Sequence, residues 1–194
     1  MADLDNLGMR EQILEKATDL FVTQGYNGVS MREIAEECGL SKAGLYYHYK
    51  DKEDLFLSIL GENLNMLEKL INTVEAQGQN PTEQIQLFVR AIFTYLPAGR
   101  RSVIRLASQE MNKISPKARV EFHRRYEEQF IGRIKHILDE GIRAGDFRAM
   151  DSSLGVWSLL GLMYPFMNQE GAGDVDEVVS FITMIFLEGV QMGG

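Results

Sequence analysis

Residues 30–52 read SMREIAEECGLSKAGLYYHYKDK, and this stretch decides the fold of the N-terminal part of the chain. Ala35, Gly39 and Leu45 stand at positions i, i+4 and i+10. A small residue lets a second helix cross closely, glycine permits a left-handed turn, and a leucine can pack the second helix onto the first. The spacing therefore predicts two short helices joined by a tight turn, the helix-turn-helix arrangement.

The second helix of this pair carries an unusual set of side chains. Its first turn, from Ser41 to Gly44, has small residues that permit close approach to another molecule. After Leu45, residues 46–50 are three tyrosines, a histidine and a lysine without a break. This density of polar aromatic and basic side chains is rare in a buried helix but suits contacts with phosphate oxygens and base edges. Some of these tyrosines can instead belong to the core, and we expect one or both of Tyr46 and Tyr49 to face inward. The predicted DNA-binding residues are Ser30, Arg32, Ser41, Lys42, Ala43, Gly44, Tyr46, Tyr47, His48, Lys50 and Lys52.

The remainder of the chain also reads as helices, because apolar residues recur at helical spacing between caps and glycines. No segment alternates apolar and polar residues for long enough to predict a strand. The sequence thus predicts an all-α fold of about nine helices. We expect a three-helix helix-turn-helix domain over residues 1–50 and a C-terminal helical bundle over residues 51–194, connected by a long helix over residues 51–78.

Composition and charge narrow the class of protein. The 194 residues carry a net charge of −8, and residues 1–50 hold five Lys and Arg against eight Asp and Glu, a net charge of −3. Nucleic-acid binders are usually basic, so DNA affinity has to rest on the local patch between Ser41 and Lys52, with three lysines and one histidine against one aspartate. The sequence has one cysteine, Cys38, and no recognisable signal peptide, which predicts a cytoplasmic protein. It has no long apolar run, which predicts that the protein has no membrane partner.

Signposts along residues 10–56 carry a likeness to a known family. They are Phe21, Gly25, Tyr26, Ile34, Ala35, Gly39, Gly44, Leu45, Tyr46, Lys52 and Leu55. With these residues the stretch resembles the N-terminal domain of TetR-family transcriptional regulators, although Tyr49 stands where the family usually has phenylalanine. That resemblance implies a homodimer that binds a double-stranded operator with two half-sites, usually as a repressor. It also implies that a small effector releases the operator.

The last two helices of the chain are apolar on nearly all sides, so each has to be covered from two directions. We expect them, over residues 152–168 and from residue 174 onward, to pair with their copies in a four-helix dimer interface. The alternative is a bundle that buries both within one chain. The predicted interface residues are Leu159, Met163, Phe166, Val178, Phe181, Ile182, Ile185 and Phe186.

Aromatic and flexible apolar residues of the C-terminal part are candidates for an effector cavity, although for each residue taken singly a place in the core is the favoured interpretation. The effector would be apolar or amphipathic. The C-terminal part has a weak likeness to regulators that respond to acyl-CoA or other lipophilic compounds. A set of arginines between Arg100 and Arg125 could hold phosphates. Both features suggest an acyl-CoA as the effector. The predicted ligand-binding residues are Phe88, Ile92, Tyr95, Leu96, Ile104, Met111, Phe122, Tyr126, Phe130, Trp157 and Met163.

Two other classes of function compete with a regulator. The three histidines and one cysteine have no metal-ligand spacing, and no phosphate-loop, dinucleotide or nucleophile-elbow motif occurs, so the sequence predicts no enzyme, no metal and no cofactor. A helical protein–protein adaptor without DNA binding is the remaining alternative. It would leave the Tyr, His and Lys run unexplained.

Overall fold

The computed structural model describes residues 2–167 and 174–190, and within these ranges the chain forms helices and no strand. The helices are α1 (Ala2–Gly28), α2 (Met31–Glu37), α3 (Lys42–His48), α4 (Lys52–Gln77), α5 (Pro81–Tyr95), α6 (Ala98–Glu110), α7 (Pro116–Tyr126), α8 (Gly132–Ala144), α9 (Ser152–Met163) and α10 (Val175–Val190).

A π-helical segment, Glu127–Ile131, joins α7 to α8, so Pro116 to Ala144 forms one continuous helical rod. With this rod counted once, the described residues form nine α-helices, and the predicted all-α fold is confirmed. The first helix begins at Ala2. The predicted helix over 152–168 becomes 3₁₀ after Met163, where Pro165 cannot continue the hydrogen-bond ladder, and residue 168 lies outside the described residues.

Capping hydrogen bonds fix the limits of α2. The Glu33 amide donates to Ser30 Oγ at 3.2 Å, and the Ser30 amide donates back to the Glu33 carboxylate at 2.8 Å. At the other end Gly39 adopts φ 67°, while the Gly39 and Leu40 amides donate to the carbonyls of Glu36 and Ala35. This pattern is a Schellman motif, which satisfies the last carbonyls of the helix and turns the chain sharply. The predicted left-handed glycine is therefore present.

The described chain divides into two compact units, and the division falls inside α4, α6 and α7. The first unit contains the residues up to Asn63 together with Ser102–Phe122, so the helix-turn-helix shares a unit with most of α6 and the start of α7. The second unit contains Leu64–Arg101 and the residues from His123 onward.

An aromatic cluster forms the centre of the first unit. Phe21 and Phe56 meet edge to face with ring centroids 5.1 Å apart, and Tyr26 lies 4.9 Å from Phe56. All three side chains are buried. Tyr26 follows Gly25, whose φ of 72° breaks the helical conformation of α1 and lets the chain turn toward α2. Edge-to-face pairs add about 0.5–1.5 kcal/mol each beyond the burial of their area.

In the second unit, α5 packs against both α8 and α10, and α9 packs against α8 and α10. Phe88 and Phe130 are fully buried between these helices, with ring centroids 6.1 Å apart. The α8 helix ends at Gly145, which adopts φ 85° and repeats the Schellman pattern. No helix in residues 2–167 or 174–190 is long and apolar enough to cross a lipid bilayer.

Replacement of Gly39 by alanine tests the turn between α2 and α3. A Cβ at Gly39 meets no atom within 4 Å, so the cost is one of backbone conformation alone. We expect Gly39→Ala to lower the free energy of unfolding by about 1–2 kcal/mol in urea titrations, because alanine is strained at positive φ.

Gly8→Ala is the matched control, since its added Cβ also meets nothing within 4 Å but its backbone is helical. There we expect a gain of about 0.5–1 kcal/mol. Equal effects of the two substitutions would contradict the proposed role of the left-handed turn.

Candidate nucleic-acid interface

The α3 helix presents one face to solvent and one to the core. Leu45 and Tyr49 are fully buried, whereas Tyr47 has 78% of its surface exposed and Tyr46 has 43%. Ser41 caps the helix by accepting a hydrogen bond from the Gly44 amide at 3.0 Å. Of the two tyrosines for which an inward orientation was expected, only Tyr49 turns inward. Ser41, Lys42, Ala43 and Lys50 are also exposed, while Gly44 and His48 are half-buried.

Five of the predicted DNA-binding residues line one surface concavity of about 470 Å³. They come from the start of α2, from α3 and from the first turn of α4, and they are Ser30, Arg32, Lys42, Tyr46 and Lys52. The other six lie outside this lining. Sequence reasoning missed Asn27, which also lines it. The signal for Asn27 was the Asn-Gly pair that precedes the Ser30 cap.

The cations of this concavity differ in how firmly they are held. Lys52 is the most constrained, because its ammonium donates to the carbonyls of Tyr26 at 2.9 Å and Val29 at 3.0 Å. It also lies 4.4 Å from the centre of the Tyr26 ring. Since an ammonium has three donors, one remains for an anion. Arg32 pairs with Glu36 at 2.8 Å, and this hydrogen bond raises the pKa of Arg32.

Arg10 of α1 lies at the C-terminal end of α3, and sequence reasoning did not single it out. Its guanidinium donates to the His48 carbonyl at 3.4 Å and lies 4.8 Å from the centre of the Tyr49 ring. Burial raises the pKa of Tyr49, and the positive charge of Arg10 opposes that effect. A cation beside the last carbonyls of a helix complements its dipole, so Arg10 helps to fix the end of α3.

Two carboxylates connect elements of the first unit, Glu110 joining the end of α6 to α1 and Glu53 joining α4 to the start of α7. Glu110 accepts a hydrogen bond from the Tyr26 amide at 2.7 Å and two from Lys113 at 2.8 and 2.9 Å. Glu53 accepts from the Ser115 amide at 2.6 Å and from the Ser115 hydroxyl at 2.7 Å. Burial acts to raise the pKa of Glu110, but the hydrogen bonds from Lys113 and Tyr26 outweigh it and lower the pKa.

The predicted ligand-binding residues fall into separate groups. Phe88, Ile92, Phe130 and Met163 are fully buried in the second unit, and Tyr126 lies 5.3 Å from Phe130. Tyr95 is 75% exposed, and Trp157 is exposed on the outer side of α9. The first unit contains Ile104, Met111 and Phe122.

A cavity of about 390 Å³ lies between α4 and α5 in the second unit. Tyr95 and Leu96 line it, but the other predicted ligand residues do not. The residues of α4 that form its other wall were missed because that stretch reads as ordinary core. The lining consists of Met66, Lys69, Leu70, Thr73, Val74, Gln77, Leu87, Arg90, Ala91, Tyr95 and Leu96.

The predicted dimer residues divide between the two sides of α9 and α10. Four of them, Leu159, Met163, Ile182 and Phe186, are buried, so they pack inside the chain rather than on its surface. Phe166 and Val178 are half-buried, and Phe181 and Ile185 are exposed. Three further exposed apolar side chains continue this outer face, and they are Leu154, Trp157 and Met184.

Comparison with known proteins gives matches at both ends of the chain. The family model of bacterial regulatory proteins of the tetR family matches residues 13–59, and a tetracyclin repressor-like C-terminal domain matches residues 78–190. The HTH-type transcriptional repressor DhaR of Mycobacterium sp. strain GP1 is 28% identical over 72% of this chain and 70% of its own length. The HTH-type transcriptional regulator QacR of Staphylococcus aureus strain Mu50 is 24% identical over 95% of this chain and 100% of its own.

Among solved structures, AibR in complex with isovaleryl coenzyme A and operator DNA superposes with a TM-score of 0.77. It is 24% identical to this chain, and the match covers 91% of this chain and 97% of AibR. At this identity the likeness establishes a shared fold.

Replacement of Glu110 by glutamine tests the link between α6 and the helix-turn-helix. Because the folded-state pKa of Glu110 is lowered, its carboxylate contributes stability above its ordinary pKa, and this contribution is lost as the pH falls through the folded-state value. We expect Glu110→Gln to lower the free energy of unfolding by about 1 kcal/mol at pH 7, and the difference from wild type to shrink between about pH 5 and pH 3.

Urea titrations at several pH values measure this effect, with Glu15→Gln on the exposed side of α1 as the control. A pH-independent difference for Glu110→Gln, or an equal effect at Glu15, would count against the carboxylate as the linking group.

Proposed function

The chain belongs to the TetR family of bacterial transcriptional regulators, and from that membership we propose that it is a homodimeric repressor. In this proposal it binds a palindromic operator through α3 and is released by a small lipophilic effector. The observation that carries the DNA-binding part is the exposed face of α3, where Tyr47 is 78% exposed beside small residues at the helix start.

The first turn of α3 is suited to the major groove. A helix enters the groove with its N-terminal residues closest to the base edges, and bulky side chains there would hold it away. Ala43 and Gly44 keep this turn narrow, and Ala43 offers a methyl group for contact with a thymine methyl. Lys42 is exposed and can reach a guanine or a phosphate. The hydroxyl of Tyr47 and the ring of His48 then contact phosphate oxygens farther along.

The concavity beside α3 gives a reason why an acidic protein can bind DNA. It gathers Arg32, Lys42 and Lys52 with the Ser30 hydroxyl, and its lining contains no Asp or Glu. We propose that one phosphate group of the operator lies there, with the third donor of Lys52 directed to it. The net charge of −8 disfavours contacts elsewhere on the surface, so non-specific binding is weak and affinity depends on a few placed groups.

Dimerisation follows from the outer face of α9 and α10. Trp157, Phe181, Met184 and Ile185 are exposed large apolar side chains on these two adjacent helices. Exposed large apolar side chains grouped on neighbouring helices are typical of an interface. We propose that a twofold axis places this face against the same face of a second copy. An operator with two half-sites requires α3 helices about one turn of DNA apart, roughly 34–36 Å.

The effector part of the proposal rests on weaker similarity. AibR has been solved with isovaleryl coenzyme A as well as operator DNA, which makes an acyl compound a reasonable class of effector for this chain too. DhaR is named a repressor, in agreement with the proposed direction of control. An effector that binds the DNA-free form more tightly would weaken operator binding by a coupling of about 1–3 kcal/mol.

Replacement of Tyr47 by alanine tests the DNA-binding face. We expect Tyr47→Ala to weaken binding of a palindromic segment from the protein's own promoter region by about tenfold or more in gel-shift titrations, because a phosphate contact and its positioning effect are lost.

Val120→Ala is the control, since Val120 is 68% exposed but lies on α7. Unchanged DNA affinity in Tyr47→Ala, with its oligomeric state intact, would show that α3 is not the recognition helix.

Replacement of Phe181 by glutamate tests the dimer face. A charge at this position would have to be buried on association, so we expect Phe181→Glu to convert the dimer to a monomer in light scattering at micromolar concentration. Val120→Glu is the control, because Val120 is an exposed apolar residue of α7. A wild-type monomer, or a Phe181→Glu protein that stays dimeric, would rule out this face as the interface.

A further inference from the structure

The cavity between α4 and α5 combines an apolar wall with a pair of cations. Leu70, Val74, Leu87, Ala91 and Leu96 supply apolar surface. Two basic residues, one from each helix, complete the lining, and both are exposed, so their charged groups lie where the cavity meets solvent. Small-molecule sites typically have this composition, a largely apolar lining with a few convergent polar groups.

The two cations are Lys69 on α4 and Arg90 on α5, and no acidic residue lines the cavity itself. Arg90 pairs with Asp176, in the first turn of α10, which holds the guanidinium in place. Because a guanidinium has five donors, this pair leaves others free to meet a second anion.

Polar groups that accept or donate hydrogen bonds are also present. Thr73, Gln77 and Tyr95 line the same cavity. The Thr73 hydroxyl donates to the Lys69 carbonyl at 3.1 Å, so its oxygen stays able to accept. The cavity therefore offers an apolar interior, a few neutral polar groups and a cationic entrance.

We propose that this cavity binds an amphipathic carboxylate, with its alkyl chain against the apolar wall and its carboxylate between Lys69 and Arg90. The volume of about 390 Å³ is near the lower end of the range of about 300–1,000 Å³ for small-molecule sites, which fits a single chain better than a complete coenzyme A thioester. The inference rests on the proposed function in that such a compound would be the effector, and it names the chemical class of that effector.

Calorimetric titration of the full-length protein with decanoate, and with decan-1-ol as an uncharged compound of the same chain length, tests this site. We expect decanoate to bind about tenfold more tightly than decan-1-ol, the factor that one charge-assisted contact typically contributes. The Lys69→Met and Arg90→Met substitutions, singly and together, should weaken decanoate binding and leave decan-1-ol binding unchanged.

Arg143→Met is the matched control, because Arg143 is another exposed arginine of the second unit that pairs with a carboxylate, that of Glu140, but does not line the cavity. It should bind both compounds as the wild type does. Equal affinities for the two compounds, no binding of decanoate, or the same loss in Arg143→Met as in Arg90→Met would overturn the proposal.

Gel-shift titrations with and without decanoate separate this inference from the proposed function. If decanoate binds and weakens operator affinity, both are supported. If operator DNA binds but decanoate does not, the cavity assignment fails and the regulator remains. If decanoate binds with the expected charge dependence but the protein binds no operator, the site stands and the proposed function fails.

Discussion

The close packing of α3 on α2 orients the side chains of the helix-turn-helix. Ala35 and Leu45 are both buried where the helices meet, and the left-handed Gly39 permits the sharp turn between them. Once Leu45 is fixed inward, the 3.6-residue period of a helix places Ala43 and Tyr47 on the opposite side. Lys42, at the helix start, and Tyr46 are also exposed. The same few contacts that stabilise the domain therefore create the surface proposed to read DNA.

Some of the acidic residues of the chain stabilise its fold through hydrogen bonds to the backbone. Glu33, Glu53 and Glu110 each accept a hydrogen bond from a backbone amide. Without the carboxylate, that amide would have no hydrogen-bond partner within a helix or a turn. A carboxylate bound in this way stabilises a helix end or a junction between helices. Lys52 acts in the opposite sense, because its ammonium donates hydrogen bonds to two backbone carbonyls. The formal net charge consequently says little about the local potential at α3.

In the second unit the two sides of α9 and α10 differ in exposure. Leu159 and Ile182 belong to the inner side and hold the unit together, whereas Phe181 and Ile185 belong to the outer side. Asp176 connects this region to α5 through its pair with Arg90. Exposed ion pairs contribute only about 0–1 kcal/mol, so this pair serves to orient Arg90 more than to stabilise the fold.

The all-α fold, the helix-turn-helix and the left-handed Gly39 could be predicted from the sequence, because helix caps, glycine conformation and apolar periodicity are local properties of neighbouring residues. The sequence also indicated that α9 and α10 are apolar on all sides, but not which side faces inward. Only the tertiary structure decided that Leu159 and Ile182 are core, that Lys52 is engaged by two carbonyls, and that Lys69 and Arg90 meet at one cavity. These features join residues that are distant in the chain, and their geometry depends on how whole helices pack rather than on the pattern within any one of them.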